Sequence, residues 1–380
     1  MRFELGNLYK TFAAGPANTI DGLTQKGKDL AFGVVVLIVA VLPLFITPFR
    51  VSLIGKYITY AIVAMALDLI WGYTGILSLG HGVFFGLGGY AFGMYLKLIA
   101  SNGKLPDFMS WSGRTTLPWF WEIYEYAPGA ILMVMLVPTA LALILGFLTF
   151  TNRIKGVYFS ILSQALALVF VTLFIGLQQY TGGTNGLTDF TYVFGLSLHS
   201  KMTKYIWYYV ALLFMVLTYL LFSWVLKSKC GRVLVAIRDG ENRTRFSGYY
   251  VAQYKTFVYG LSALAVGVAG ALFVPFSGII SPSEMSIGNS IDMAIWVAVG
   301  GRGTLIGAVI GAFVVNLCKT LVSENLPEIW SYFIGLLFVV VVMFLPRGLT
   351  GVYMDLKLWL GRTLEKKMGN KTDSSAVMEV

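Results

Sequence analysis

The feature that most constrains this chain is a succession of apolar runs, each close to the roughly 20 residues a helix needs to cross a hydrocarbon core of about 30 Å. Ten such runs follow one another, near 30–49, 51–71, 76–98, 129–150, 156–177, 205–226, 256–274, 287–299, 305–322 and 329–345. The eighth is short enough to be a broken helix. A membrane barrel would show alternating strands of about ten residues instead, and the sequence has none. Only 12% of the 380 residues are charged and the mean hydropathy is +0.76, too few polar groups to cover a soluble fold. The expected fold is an all-α polytopic membrane protein of about ten transmembrane helices. Residues 1–29 form a cytoplasmic N-terminal segment, 30–352 the membrane domain and 353–380 a polar cytoplasmic tail.

Lys and Arg stay preferentially on the cytoplasmic side, so their distribution sets the orientation. With the N-terminus inside, twenty fall in inner segments, against five in outer ones (Arg50, Lys104, Arg114, Lys201 and Lys204). Both termini are therefore expected in the cytoplasm. Lys56, Lys97 and Lys319 lie within or at the ends of spans. The same dispersal makes the net charge of +10 a topological signal and gives no nucleic-acid footprint. In the outer loop from Ala100 to Gly129, Trp111, Trp119, Trp121, Tyr124 and Tyr126 suit the headgroup level of a lipid bilayer.

Several chemistries drop out. Cys230 and Cys318 have no partner pattern, and two histidines, His81 and His199, cannot build a zinc hydrolase site. Gly22 to Asp29 imitates a phosphate loop but has Asp29 where a hydroxyl must meet magnesium, and no strand precedes it. No cofactor or metal is expected in this chain.

Glycine placement is uneven. The third run carries Gly82, Gly86, Gly89 and Gly93, and the ninth Gly303, Gly307 and Gly311, at four-residue steps that let helices approach closely. Within the third run His81 is either a structural ring bonded inside the bundle or the lining of a wet path, because an unpaired polar group in lipid is expensive. Asp68, Gln164, Asp292 and Asn316 raise the same question, and Asp292 is also read as favouring the positive start of the eighth span. The loop Thr181-Gly182-Gly183-Thr184-Asn185-Gly186-Leu187 exposes backbone donors and acceptors suited to a small polar solute, or is a plain turn. Between long spans, the cytoplasmic segment 227–255 holds a stretch capped by Asp239 and stopped by Gly248, a two-turn helix of roughly 12 Å. Arg238, Asp239, Glu241, Arg243, Arg245 and the apolar Phe246 make it a docking knob.

The Gly75–Gly93 stretch, the Thr181–Leu187 loop, Ala236-Ile237-Arg238-Asp239 through Gly248, Gly300-Gly301-Arg302-Gly303-Thr304 and Leu345-Pro346-Arg347-Gly348 occur in order. Together they resemble the LivM-type permeases of branched-chain amino acid ABC importers, over about residues 30–352. The run from Asn316 to Trp330, with Lys319, Pro327 and Glu328, resembles the urea branch of that family, the UrtC permeases. The resemblance implies a permease subunit beside a second homologous (LivH/UrtB-like) permease, two ABC ATPases that bind ATP and Mg, and a periplasmic solute-binding protein in the inner membrane. It makes the 238–248 helix the coupling helix and urea the foremost solute, with branched-chain amino acids as the alternative. Neutral polar groups at Ser78, His81, Gln164, Thr184 and Asn185 suit urea and other small amides. By analogy, spans two to five are mirrored by seven to ten in a weak inverted repeat, with the third matched to the eighth. A proton-coupled transporter using His81 or Asp68, and a free-standing channel, are the rival readings.

Overall fold

A computed structural model describes residues 17–325 and a few isolated positions beyond them. The chain divides at Thr47 and Pro48 into two compact units. The first contains α1 (Ala17–Val41), closed by a 3-10 turn at Leu42–Leu44 whose first residues include Pro43, where a helix start needs no N–H. α1 starts within 1–29, so part of the segment expected as an extension is helical.

The second unit begins with α2 (Pro48–Thr74) and α3 (His81–Ala100), followed by the short α4 (Asp107–Trp111) and α5 (Trp119–Glu122). Next come α6 (Ala127–Thr151), α7 (Val157–Gly176), the short α8 (Gln178–Thr181) and a small hairpin of β1 (Tyr192–Val193) and β2 (Leu196–Ser197). α9 (Lys201–Lys227), α10 (Lys229–Phe246), α11 (Val251–Ser277), α12 (Ile287–Gly300) and α13 (Leu305–Asn325) complete it. Seven of these, α2, α3, α6, α7, α9, α11 and α13, are long and apolar enough to cross a membrane; 29–44 and α12 are shorter apolar helices. The protein is thus an all-α polytopic membrane protein. The tenth expected span and the Leu345–Gly348 turn fall almost wholly outside the described residues, and the tail 353–380 wholly so.

α2, α3 and α11 form the centre, with 78–83% of their spanning stretches buried, whereas α6 and α7 leave most of their apolar surface exposed. Small residues explain the tight crossing of α3 and α11. A Cβ at Gly88 would overlap the Gly267 backbone, and one at Gly270 would overlap the Phe85 carbonyl. α2 and α11 are antiparallel: Gly55 meets Phe276, while Ser262 Oγ donates to the Ala66 carbonyl at 2.7 Å.

The expected third span is not helical throughout. Residues 75–80 are non-helical, and the helix begins only at His81. α7 holds this segment, since Ser160 Oγ donates to the Leu77 carbonyl (2.7 Å) and Ser163 Oγ accepts from the Leu79 N–H (2.9 Å). The same order of parts occurs after α11: 278–286 pairs Ile280 with Leu187 and makes a 3-10 turn at Pro282–Met285 before the fourteen-residue α12. The starts of α3 and α12 meet, with the Gly82 N–H donating to Ser290 Oγ at 3.1 Å.

Candidate coupling surface and membrane path

α10 starts where Ser228 Oγ caps the Cys230 N–H at 3.1 Å, and its regular turns break at Gly240 (φ −173°, ψ 75°). The second piece, 241–246, ends at Gly248, whose φ of +88° is the left-handed turn that glycine adopts without a Cβ penalty. A kinked helix therefore replaces the isolated two-turn helix expected from the sequence. Asp239 does not cap it; its carboxylate accepts from Arg238 Nε at 2.9 Å, and Arg243 Nη2 donates to the Asp239 carbonyl at 3.2 Å.

The charged residues of this segment divide by direction. Glu241 turns inward, accepting from Lys255 Nζ (2.8 Å) and Arg245 Nη2 (3.0 Å), with Lys155 Nζ at 3.9 Å. Lys255 is nearly covered, with 4% of its side chain exposed, so this carboxylate fixes the knob to the foot of α11. Arg238 also reaches inward: its Nη1 donates to the Gly72 carbonyl at 2.9 Å, and its side chain lies against Gly75. Phe246 stands out furthest, 91% exposed, with Tyr249 and Tyr250 also exposed just after it. Beneath the knob, Val233, Ile237 and Val251 pack together against Tyr254.

Arg238 joins the knob to a second junction. Asp68, fully buried in α2, accepts from the Gly303 N–H at 2.7 Å, and Arg302 lies over the Trp71 ring at 5.3 Å. Gly303 is thus a turn residue (φ +81°) that precedes α13, and its backbone packs against Gly72 of α2. Gly307 and Gly311 do lie where α13 crosses Gly300 of α12, and Gly82, Gly86, Gly89 and Gly93 lie against Glu284, Met285 and Ile280. Burial, and next the Arg238 guanidinium, lowers the Arg302 pKa, which Asp68 raises in part. Arg238 of α10 therefore touches both the end of α2 and the start of the 75–80 segment.

The expected path residues are scattered. His81 is fully buried; its Nε2 lies 2.9 Å from Ser262 Oγ, and its ring meets Phe84 and Tyr259 edge-on. Because the Ser262 hydroxyl is donated to Ala66, Ser262 accepts from His81, which puts the proton on Nε2 and leaves Nδ1 without a partner. Ser78 is fully buried, Gln164 half-buried on α7, and Thr184 and Asn185 exposed in a 3-10 turn. Asn316, also buried, donates to the Ala312 carbonyl at 2.8 Å. Asp292 lies beyond the first turn of α12, so it does not serve that helix start; Ser286 Oγ caps it by accepting from the Asn289 N–H. Asp292 instead pairs with Lys319 of α13 at 2.9 Å. Lys56, Glu284 and Lys319, not among the path residues singled out from the sequence, are charged groups that interact with one another. Their signal was charge within or beside an apolar run.

Of the outer-loop rings, Trp111, Trp119 and Tyr126 are exposed, whereas Trp121 and Tyr124 are buried. Burial pushes the Tyr124 hydroxyl up to about 12. Among the described residues no group of three or more His, Cys, Asp or Glu side chains could hold a metal ion.

A family model described as the branched-chain amino acid transport system permease component matches residues 49–342, which takes in both junctions and the knob. The chain belongs to that family. It is an ABC-type permease of the branched-chain amino acid transport family and a multi-pass protein of the inner membrane. The chain is similar to two high-affinity branched-chain amino acid transport system permease proteins LivM, from Salmonella typhimurium and Escherichia coli K12. Each is 25% identical over 352 residues, covering 87% of this chain and 76% of the relative. A probable LivM of Methanocaldococcus jannaschii is 23% identical over 312 residues, 76% of this chain and 90% of its own. No solved structure matches the chain. None of these three relatives is named for urea, and the closer likeness to the urea branch finds no support in them.

Proposed function

We propose that this chain is one permease subunit of an ATP-driven importer of branched-chain amino acids. It works beside a second homologous permease, two cytoplasmic ATPases and an external solute-binding protein. ATP binding draws the ATPases together, the knob on α10 is carried with them, and two arrangements of the membrane helices exchange stability so that the path opens on alternate sides. The subunit converts motion and performs no chemistry. The observation that carries the reading is the knob's division of labour: Phe246 is 91% exposed at its tip, while Arg238 and Glu241 tie its base to Gly72 and Lys255. An exposed aromatic side chain on an anchored helix suits a cleft on a partner, because aromatic anchors dominate contact centres.

Branched-chain amino acids replace urea as the preferred solute because the relatives' names point to them. The test is uptake into proteoliposomes holding the assembled importer. L-leucine accumulation that requires internal ATP and survives collapse of the proton gradient supports the reading. Accumulation abolished by that collapse would establish the proton-coupled alternative, and urea uptake without L-leucine uptake would restore the urea reading.

A further inference from the structure

α2, α13, the shorter α12 and the 282–285 turn carry four ionisable side chains, Lys56, Lys319, Asp292 and Glu284, that act on one another. Lys56 lies eight residues inside α2, roughly 12 Å from its start, and Lys319 six residues before the end of α13, roughly 9 Å from it, at 1.5 Å per residue. Lys319 pairs with Asp292 at 2.9 Å, and Glu284 accepts from Asn289 Nδ2 at 3.0 Å. Lys56 lies over the Phe273 ring at 5.7 Å, and both lysines act electrostatically on Glu284.

None of these side chains is sealed in the core: Asp292 is 23% and Lys319 33% exposed, and Lys56 and Glu284 are half-buried. Charges at this depth cannot face hydrocarbon without a large cost, so the face they share meets water or another protein. Two positive and two negative groups sum to zero. The face as a whole therefore attracts neither a simple anion nor a simple cation, and its charges of both signs match a molecule that carries both. Beside the charges, the half-buried Tyr60 meets the buried rings of Trp296 (4.7 Å between centroids) and Phe273 (5.7 Å) in tilted contacts, an apolar wall next to the polar row.

We infer that this face is a zwitterion station on the transport path. The ammonium of an α-amino acid is drawn to Glu284 and Asp292, its carboxylate to Lys56 and Lys319, and its aliphatic side chain to the Tyr60–Trp296 wall. A neutral planar solute needs neither pair of charges. The inference rests on the proposed function and adds to it the residues that distinguish a zwitterion from a neutral amide.

The experiment uses the assembled importer in proteoliposomes. Glu284→Gln and Lys56→Gln are each expected to raise the KM for L-leucine by about tenfold, the effect of losing one charge-assisted hydrogen bond. A second readout does not depend on turnover. With Cys230 and Cys318 replaced by Ser, Asn289→Cys should react with a water-soluble methanethiosulfonate, and L-leucine, unlike urea, should slow that reaction. If Glu284→Gln does not assemble, Lys56→Gln, outside both hydrogen-bonded pairs, carries the kinetic test. An unaltered KM in variants of an importer that transports L-leucine, or labelling that L-leucine leaves untouched, overturns the station while the transport function stands. A wild-type importer that moves urea and not L-leucine overturns both.

Discussion

At the residue scale, three groups far apart in sequence form one hydrogen-bond chain, His81 to Ser262 to the Ala66 carbonyl, inside the bundle. Ser262→Ala removes the acceptor of the His81 N–H and the donor to Ala66. It is expected to cost about 1–3 kcal/mol, the penalty of leaving buried polar groups unsatisfied, read as a lower melting temperature of the purified importer. That His81 is polar inside an apolar run was legible, as was the demand that it find a partner. Which partner was not, because Ser262 lies 181 positions away and was one hydroxyl among many. Phe246 and Arg238 act differently although they are near neighbours in sequence. Phe246→Ala should weaken capture of the ATPase subunits about tenfold with the melting temperature unchanged, since the side chain is 91% exposed. Arg238→Ala, by contrast, removes the bond to Gly72 and should leave that capture near normal while lowering L-leucine uptake per ATP hydrolysed. Equal loss of capture in both variants would refute this division.

At the scale of elements, α10 owes its position to Glu241. Glu241→Gln leaves Lys255, 4% exposed, facing a neutral amide, and should destabilise the knob by about 2 kcal/mol. Amide exchange across 241–248 would rise while exchange in α3 stays slow. The crossing of α3 and α11 rests on a different device, backbone touching backbone. Gly270→Ala puts a methyl group into the Phe85 carbonyl, with the Gly89 nitrogen 3.0 Å away, and neither is the end of a flexible side chain. The expected cost is about 2–3 kcal/mol, read as a lower yield of folded subunit and a lower melting temperature. The four-residue glycine steps in α3 face the 280–285 segment instead, and the crossing with α11 uses Gly88, which lies outside those steps. Gly303 shows the limit of that reasoning, since it keeps the same step as Gly307 and Gly311 but serves a turn that hands its N–H to Asp68. Hydropathy also ran past the start of α3, because residues 75–80 are as apolar as a helix, although α7 holds them non-helical through Ser160 and Ser163.

For the whole molecule, the proposed mechanism needs partners, so this subunit reconstituted alone should show no solute flux above that of empty vesicles. Steady leakage of L-leucine or urea through it would contradict the coupled mechanism. The apolar runs determined by themselves that the chain is a helical membrane protein, because about 20 consecutive apolar residues have few other stable homes. The short polar stretch between two long spans marked the knob. Only the tertiary structure decided that Arg238 and Glu241 face inward, that the starts of α3 and α12 meet, and that Lys319 pairs with Asp292. Hydropathy is a local sum over neighbours in the chain and reports where a segment can reside. Which polar group answers which depends on how distant helices are rotated against one another, and that rotation is set by packing between them.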